Sequence, residues 1–287
     1  MGFWRAGKIP GLPFFWVLIF LILNLEENTD NAKNPGAMKK LDHLADSGHP
    51  KIREIARQLT EGGWSDEEKI RSLFFFVRDE IRFGFPSRLD DLKASEVLAE
   101  TIGVCNSKTT LFKAFLDAVG LPSRVHYGAI DLRIFRGIVP GYMMWVLPKT
   151  ANHSWLEVFI EGKWQPMDSY IFDKPYFRGA RKKLMEEGKE WGYGLACPYG
   201  ECSCEFHFGK KGFVQMPAVL EDFGAWSDDT DFFASGFYEP IDDRMASLYP
   251  KMAALVNRRI RQIRIESLKE DEKPGPNSQY FEEFITR

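Results

Sequence analysis

Gly103-Val104-Cys105-Asn106-Ser107-Lys108-Thr109-Thr110-Leu111-Phe112-Lys113-Ala114-Phe115-Leu116-Asp117-Ala118-Val119 opens on a cysteine and continues as an apolar run. Leu111, Phe112, Phe115, Leu116 and Val119 fall at helical spacings, Gly120 supplies the C-terminal stop, and Pro122 prevents continuation. The pattern predicts a buried helix with Cys105 in its first turn. Unpaired N–H groups and the partial positive charge at a helix N-terminus both favour thiolate over thiol. A cysteine packed as a small hydrophobe would suit the same position, so Cys105 alone decides nothing.

Upstream the segments read as helices. Ile52, Ile55, Ala56 and Leu59 share one face. Ser65 and Glu68 form a capping box that opens a stripe of Ile70, Leu73, Phe74, Val77 and Ile81, ended by Gly84, Pro86 and Ser87. A shorter helix spans about Lys93 to Glu100. Downstream the material is strand-like: Arg124 to Ile130, a stretch within 141–147, and a pair around His153 and Asp168. Helices first and strands afterwards predict an α+β fold with an antiparallel sheet.

That last pair carries its own register. His153-Ser154-Trp155-Leu156-Glu157-Val158-Phe159-Ile160 and Trp164-Gln165-Pro166-Met167-Asp168 flank Glu161-Gly162. With those two residues as a tight turn, Ile160 pairs with Lys163 and Asp168 comes to face Trp155. His153 and Trp155 share parity, so Asp168 sits one diagonal step from His153 on the same sheet face. A one-residue slip would separate them. Singly, His153 could be structural and Asp168 a turn former. Together with Cys105 they supply a nucleophile, a base and a group that orients the base. Trp155 is a candidate substrate contact.

The remainder sets bounds. With 287 residues, 44% apolar and 28% charged, the chain can bury one sizeable core. A net charge of −3 gives no reason to expect a nucleic-acid partner. The 24 phenylalanines fit a well-filled core, with an aromatic substrate groove as the alternative. Arg258-Arg259-Ile260-Arg261-Gln262-Ile263-Arg264 reads as a solvated basic helix face, or else a membrane or partner contact. Arg5 and Lys8 precede an uncharged stretch, Ile9 to Leu25, laid out as a secretory signal or membrane anchor. No small-x-small cleavage site follows, which favours an uncleaved anchor and a membrane-bound or secreted protein. A start at Met38 would make it cytoplasmic. Residues 1–37 are thus expected to be a hydrophobic segment and linker, 38–235 a catalytic domain, and 236–287 a helical extension with a disordered tail. Within these, 173–235 lacks a clean period and predicts loops and short elements, while 241–269 predicts helix broken near Pro250. Cys197, Cys202, Cys204 and His207 form a candidate Zn²⁺ set, although their spacings match no common finger. In an oxidising compartment one disulfide within the group is the favoured reading, and metal regains ground only if the chain is cytosolic. No cofactor is read.

On these residues the sequence resembles the transglutaminase-like superfamily. Its Gly-x-Cys at a helix start, His-x-Trp opening a strand, and Asp on the next strand stand here as Gly103-Val104-Cys105, His153-Ser154-Trp155 and Trp164-Gln165-Pro166-Met167-Asp168. Flanking segments agree: Phe76 to Phe83, Ala94 to Leu98, and Gly120 to Val125. The resemblance covers about residues 65 to 172 and implies a papain-like thiol core acting on peptide or protein substrates. Cys105 would attack an amide carbonyl, His153 would carry the proton and Asp168 would orient the imidazole, through a thioester. Two departures stand out. Val104 replaces the acidic residue of many relatives, and no Gln or Trp upstream completes an oxyanion hole beside the Cys105 N–H. No Ca²⁺ loop signature is present. Hydrolysis is the leading expectation. The alternatives are amine transfer, meaning protein cross-linking, and a membrane-tethered binding module with a vestigial triad.

Overall fold

Helix α1 (Pro50–Thr60) starts where His49 accepts the Lys51 N–H, with Pro50 in the first turn where a missing donor costs nothing. Helix α2 (Asp66–Asp79) starts at the expected capping box: the Glu68 N–H donates to the Ser65 hydroxyl at 3.3 Å, and the Ser65 N–H donates to the Glu68 carboxylate at 2.8 Å. The computed structural model describes residues 43–271 apart from 63, 90, 146, 209–212, 228, 239, 241 and 242. Chain contacts divide into Met1–Lys40 and Leu41–Arg287, and everything described here lies in the second unit. The expected hydrophobic segment 9–25, the linker 26–37 and the tail beyond Asp271 lie outside the described residues. Among the described residues no helix is long and apolar enough to cross a membrane.

Strand β1 (Arg82–Phe83) pairs in parallel with β2 (Ile102–Gly103), drawing the end of α2 towards the end of α3 (Ala94–Glu100). The next helix, α4 (Cys105–Ala118), is buried on nearly every side, with Cys105 and all of Ser107 to Leu116 inside. A helix apolar or paired all round belongs at the centre of a core.

Behind α4 stands an antiparallel sheet of β3 (Ser123–Asp131), β4 (Thr150–Ile160), β5 (Lys163–Met167) and β8 (Val219–Trp226), ordered β5-β4-β3-β8, while β6 (Trp191–Gly192) and β7 (Leu195–Ala196) pair with each other. Glu161 and Gly162 both adopt positive φ, 51° and 74°, and Ile160 pairs with Lys163 as the turn requires. Val125, Leu156, Val158 and Met167 join Leu111, Phe112, Phe115 and Leu116 of α4 in one core. The fold is α+β with an antiparallel sheet, as the order of elements predicts.

Four local expectations are corrected. Residues 173–235 contain a full helix, α6 (Lys174–Glu186), capped by Asp173 and burying Tyr176, Phe177, Ala180 and Leu184. Lys and Arg crowd its solvent side and Gly179 interrupts its pattern, so no period shows in the sequence. Gly179 is needed because a Cβ there would meet, at 2.8 Å, the Ile263 carbonyl of α8 (Asp243–Asp271), the helix that follows the short α7 (Asp229–Phe233). The same region supplies β8, an edge strand whose exposed pattern and register shifts hide its alternation. The strand expected within 141–147 is instead a single helical turn, α5 (Gly141–Met144), set by Pro140 and Gly141. Helix α8 runs through Pro250 without a break, because the buried stripe of Tyr249, Ala253, Val256, Ile260 and Ile263 outweighs one lost backbone bond.

The basic run in α8 is only partly a solvated face. Arg264 is inside, its guanidinium forked onto the Asp173 carboxylate at 2.8 and 2.6 Å and donating to the Phe83 carbonyl at 2.9 Å. Asp173 also accepts the Phe83 N–H at 2.9 Å and caps α6 at Tyr176. A bidentate pair with its remaining valences bonded offsets much of the cost of burial. It ties the C-terminal helix to β1 and α6.

Candidate active site

Cys105 is the first residue of α4, with Val104 extended before it and the Ser107 hydroxyl accepting the Val104 N–H at 3.0 Å. Gly103 has a packing reason to lack a side chain: a Cβ there would lie 2.7 Å from Ser107 Oγ and 2.9 Å from Lys108 Cγ. Lys108, fully buried, donates to the carbonyls of Ile81 at 2.6 Å and Arg78 at 3.2 Å, which caps the end of α2. Burial pushes its amine down to about 7, opposed by the charges of Asp173 and Asp79. The first turn of α4 is therefore pinned from behind.

It is also pinned in front. Asn106 accepts from the Cys105 thiol at 3.5 Å and donates through Nδ2 to the Asn152 carbonyl at 3.3 Å. One turn on, Thr109 donates to the Ser154 carbonyl at 3.4 Å. These two bonds bracket His153 on β4, so the helix start carrying the thiol is docked on the strand carrying the imidazole.

His153 is 0% exposed, and among the described residues neither ring nitrogen has a hydrogen-bond partner. Burial alone pushes its pKa down to about 3, so the ring is neutral at physiological pH. Trp155, the candidate substrate contact, is buried with its ring stacked on both His153 (5.9 Å between centroids) and His126 (4.3 Å).

Asp168 follows β5, whose ladder ends at Met167 opposite Leu156, one residue before the expected Trp155 pairing. Its carboxylate accepts three backbone N–H groups: Val214 at 3.0 Å, Gln215 at 2.8 Å and Met216 at 3.1 Å. Burial pushes the pKa up to about 6, and the three donors pull it back. No hydrogen bond joins Asp168 to His153. The three elements converge; the proton-relay chain is not formed. The 214–216 donors are a part that sequence reasoning missed, because any residue but proline can offer a backbone N–H and so leaves no signature.

The second cysteine group is corrected as a metal candidate. Cys197 and Cys202 form a disulfide, which leaves neither sulfur as a thiolate ligand. Cys204 keeps a buried thiol that burial pushes up to about 11, and burial also lowers the pKa of His207. Among the described residues no cluster of three or more His, Cys, Asp or Glu could hold a metal ion.

The neutral, buried His153 has a measurable consequence. Its folded pKa lies below the unfolded value, so its contribution is intact above pH 6.5 and is lost as pH falls towards 3. Relative to His153→Leu, the wild type should lose about 3 kcal/mol between pH 6.5 and pH 4 at ~1.4 kcal/mol per pH unit. Urea unfolding at the two pH values reads this, and parallel losses in the two proteins would refute the assignment.

Residues 53–169 match the family model described as the transglutaminase-like superfamily. No curated protein matches the chain. Among solved structures, a "putative cysteine protease" from Cytophaga hutchinsonii is 13% identical with a TM-score of 0.40, covering 66% of this chain and 46% of its own. A "putative protease" from Parabacteroides distasonis is 17% identical with a TM-score of 0.32, covering 44% and 24%. A protein called a TGase is 13% identical with a TM-score of 0.27, covering 54% and 37%. The chain thus spans less than half the length of each. Cys105 heading a buried helix, His153 on the facing strand and Asp168 after the next all lie within or beside residues 53–169, the stretch that is similar to the transglutaminase-like superfamily.

Proposed function

We propose that this chain is a thiol enzyme that hydrolyses amide bonds of peptides or proteins, with Cys105 as nucleophile and His153 as base. The observation that supports it is the docking of the Cys105 helix start on the His153 strand through Asn106 and Asn152. Cys105 Sγ gives its proton to His153 and bonds to the amide carbonyl carbon, placing the negative charge on the carbonyl oxygen. That intermediate collapses as His153 protonates the leaving nitrogen, which departs as an amine and leaves a thioester. His153 then takes a proton from water, whose oxygen attacks the thioester, and release of the acid restores the thiol. Asp168, kept ionised near neutral pH by three N–H donors, favours the imidazolium that forms twice per cycle. Hydrolysis is the leading reading; amine transfer would run through the same thioester with a lysine amine in place of water. Residues 9–25 would tether the enzyme to a membrane, or a start at Met38 would leave it in the cytoplasm.

A second reading, a catalytically silent binding module, is favoured by the ring nitrogens of His153, which bond neither Cys105 nor Asp168. Iodoacetamide labelling of Cys105 against pH separates the two. An activated thiolate labels well below the ordinary cysteine pKa of about 8.5 and slows in His153→Ala. An ordinary profile, unmoved by that substitution, would select the silent module. Product carrying a labelled primary amine would assign transfer instead of hydrolysis.

A further inference from the structure

Tyr170 lies two residues beyond Asp168 and is fully buried. Its hydroxyl is 2.6 Å from Thr109 Oγ1, while Thr109 in turn donates to the Ser154 carbonyl at 3.4 Å. The single hydroxyl proton of Thr109 goes to Ser154, so Tyr170 donates to Thr109. Ser154 lies beyond the last β4–β5 pair, Leu156 with Met167, where β5 has already ended. Two side-chain hydroxyls therefore stand where a neighbouring strand would have continued. They join the turn after Cys105, the strand of His153 and the segment of Asp168. The charges of both Asp168 and Cys105 bear on the Tyr170 hydroxyl, which marks how close it lies to the reacting groups.

Resting on the thiol reading above, we propose that Tyr170 and Thr109 are positioning residues that set the Cys105 helix against the His153 strand. Neither touches substrate. Burial holds the Tyr170 phenol well above the ordinary tyrosine pKa, so it remains a donor throughout the working range. Its ring packs edge-on against Phe112 at 5.1 Å and Phe74 at 6.3 Å. Tyr170→Phe keeps that packing and removes only the hydroxyl.

The test is the pH profile of iodoacetamide labelling at Cys105 in Tyr170→Phe, Thr109→Val and Thr109→Ser, each checked for cooperative melting. Tyr170→Phe and Thr109→Val are expected to slow labelling at pH 7 by about tenfold, the scale of one neutral hydrogen bond. They should also move the profile towards an ordinary thiol, whereas Thr109→Ser, which restores the hydroxyl, keeps the wild-type profile. The Tyr170→Phe, Thr109→Val double variant should be no slower than either single one, since both break the same chain. Folded single variants with the wild-type profile, or effects that simply multiply, would overturn the proposal while leaving the thiol reading intact. If the wild type itself labels as an ordinary thiol, the thiol reading is what fails. Thermal melting then decides the contact separately: Tyr170→Phe and Thr109→Val melting below the wild type while Thr109→Ser matches it upholds the link between the elements, and unchanged melting in all three refutes it.

Discussion

Cys105→Ala should eliminate amide hydrolysis, with turnover falling at least about a thousandfold, while the folded state survives. The side chain is 8% exposed and packs in the main core, so losing one sulfur costs about 1–2 kcal/mol, at the low end for a buried truncation. Three bonds that hold the helix start do not use the thiol and remain: Lys108 to Ile81, Val104 to Ser107 and Asn106 to Asn152. Activity and stability are thus separable at this position. The remaining free thiol, Cys204, offers no substitute, because burial holds it protonated at neutral pH. Steady-state hydrolysis of a peptide substrate alongside a thermal melt reads both. Undiminished turnover in a folded Cys105→Ala protein would remove the thiol mechanism altogether.

What the sequence disclosed follows how each feature is encoded. The register of β4 and β5 was legible because two turn residues and strict alternation leave little freedom. The helix headed by Cys105 was legible because its apolar positions recur and glycine and proline close it. Helix α6 was not, since its burial depends on partners distant in sequence: Gly179 admits α8, and Asp173 meets Arg264 across 91 residues. Arg264 itself shows the difficulty. A basic residue in a basic run looks solvated until a buried carboxylate is known to face it. The cysteines at 197 and 202 could be weighed as ligands or as a disulfide, and only their proximity settles the pairing. Backbone donors such as those at 214–216 carry no residue code at all.

Those donors change what is expected of Asp168→Asn. Read from the sequence, an amide in place of the carboxylate should cripple the enzyme and spare the fold. The structure adds a second role, since the carboxylate holds three N–H groups inside the protein. The amide oxygen can accept at most two of them, and the NH₂ group would face a donor. One stranded buried N–H costs about 1–3 kcal/mol. Against this, the amide relieves the burial penalty that raises the Asp168 pKa from 3.8 to about 6. That relief is worth ~3 kcal/mol at most above pH 6, at about 1.4 per pH unit. The two nearly cancel near neutrality, so the difference must be sought in acid. A raised folded pKa means the wild type gains stability from Asp168 as pH falls from 6 to 4, and the amide variant has no such gain. Asp168→Asn should therefore match the wild type within about 1–2 kcal/mol at pH 7 and fall behind it by a further ~2 kcal/mol at pH 4. Amide exchange at Val214, Gln215 and Met216 should quicken, and hydrolysis should drop by about a thousandfold as the imidazolium loses its anion. A variant with native exchange at 214–216 would mean the carboxylate does not hold that loop. Full activity would mean it does not serve His153.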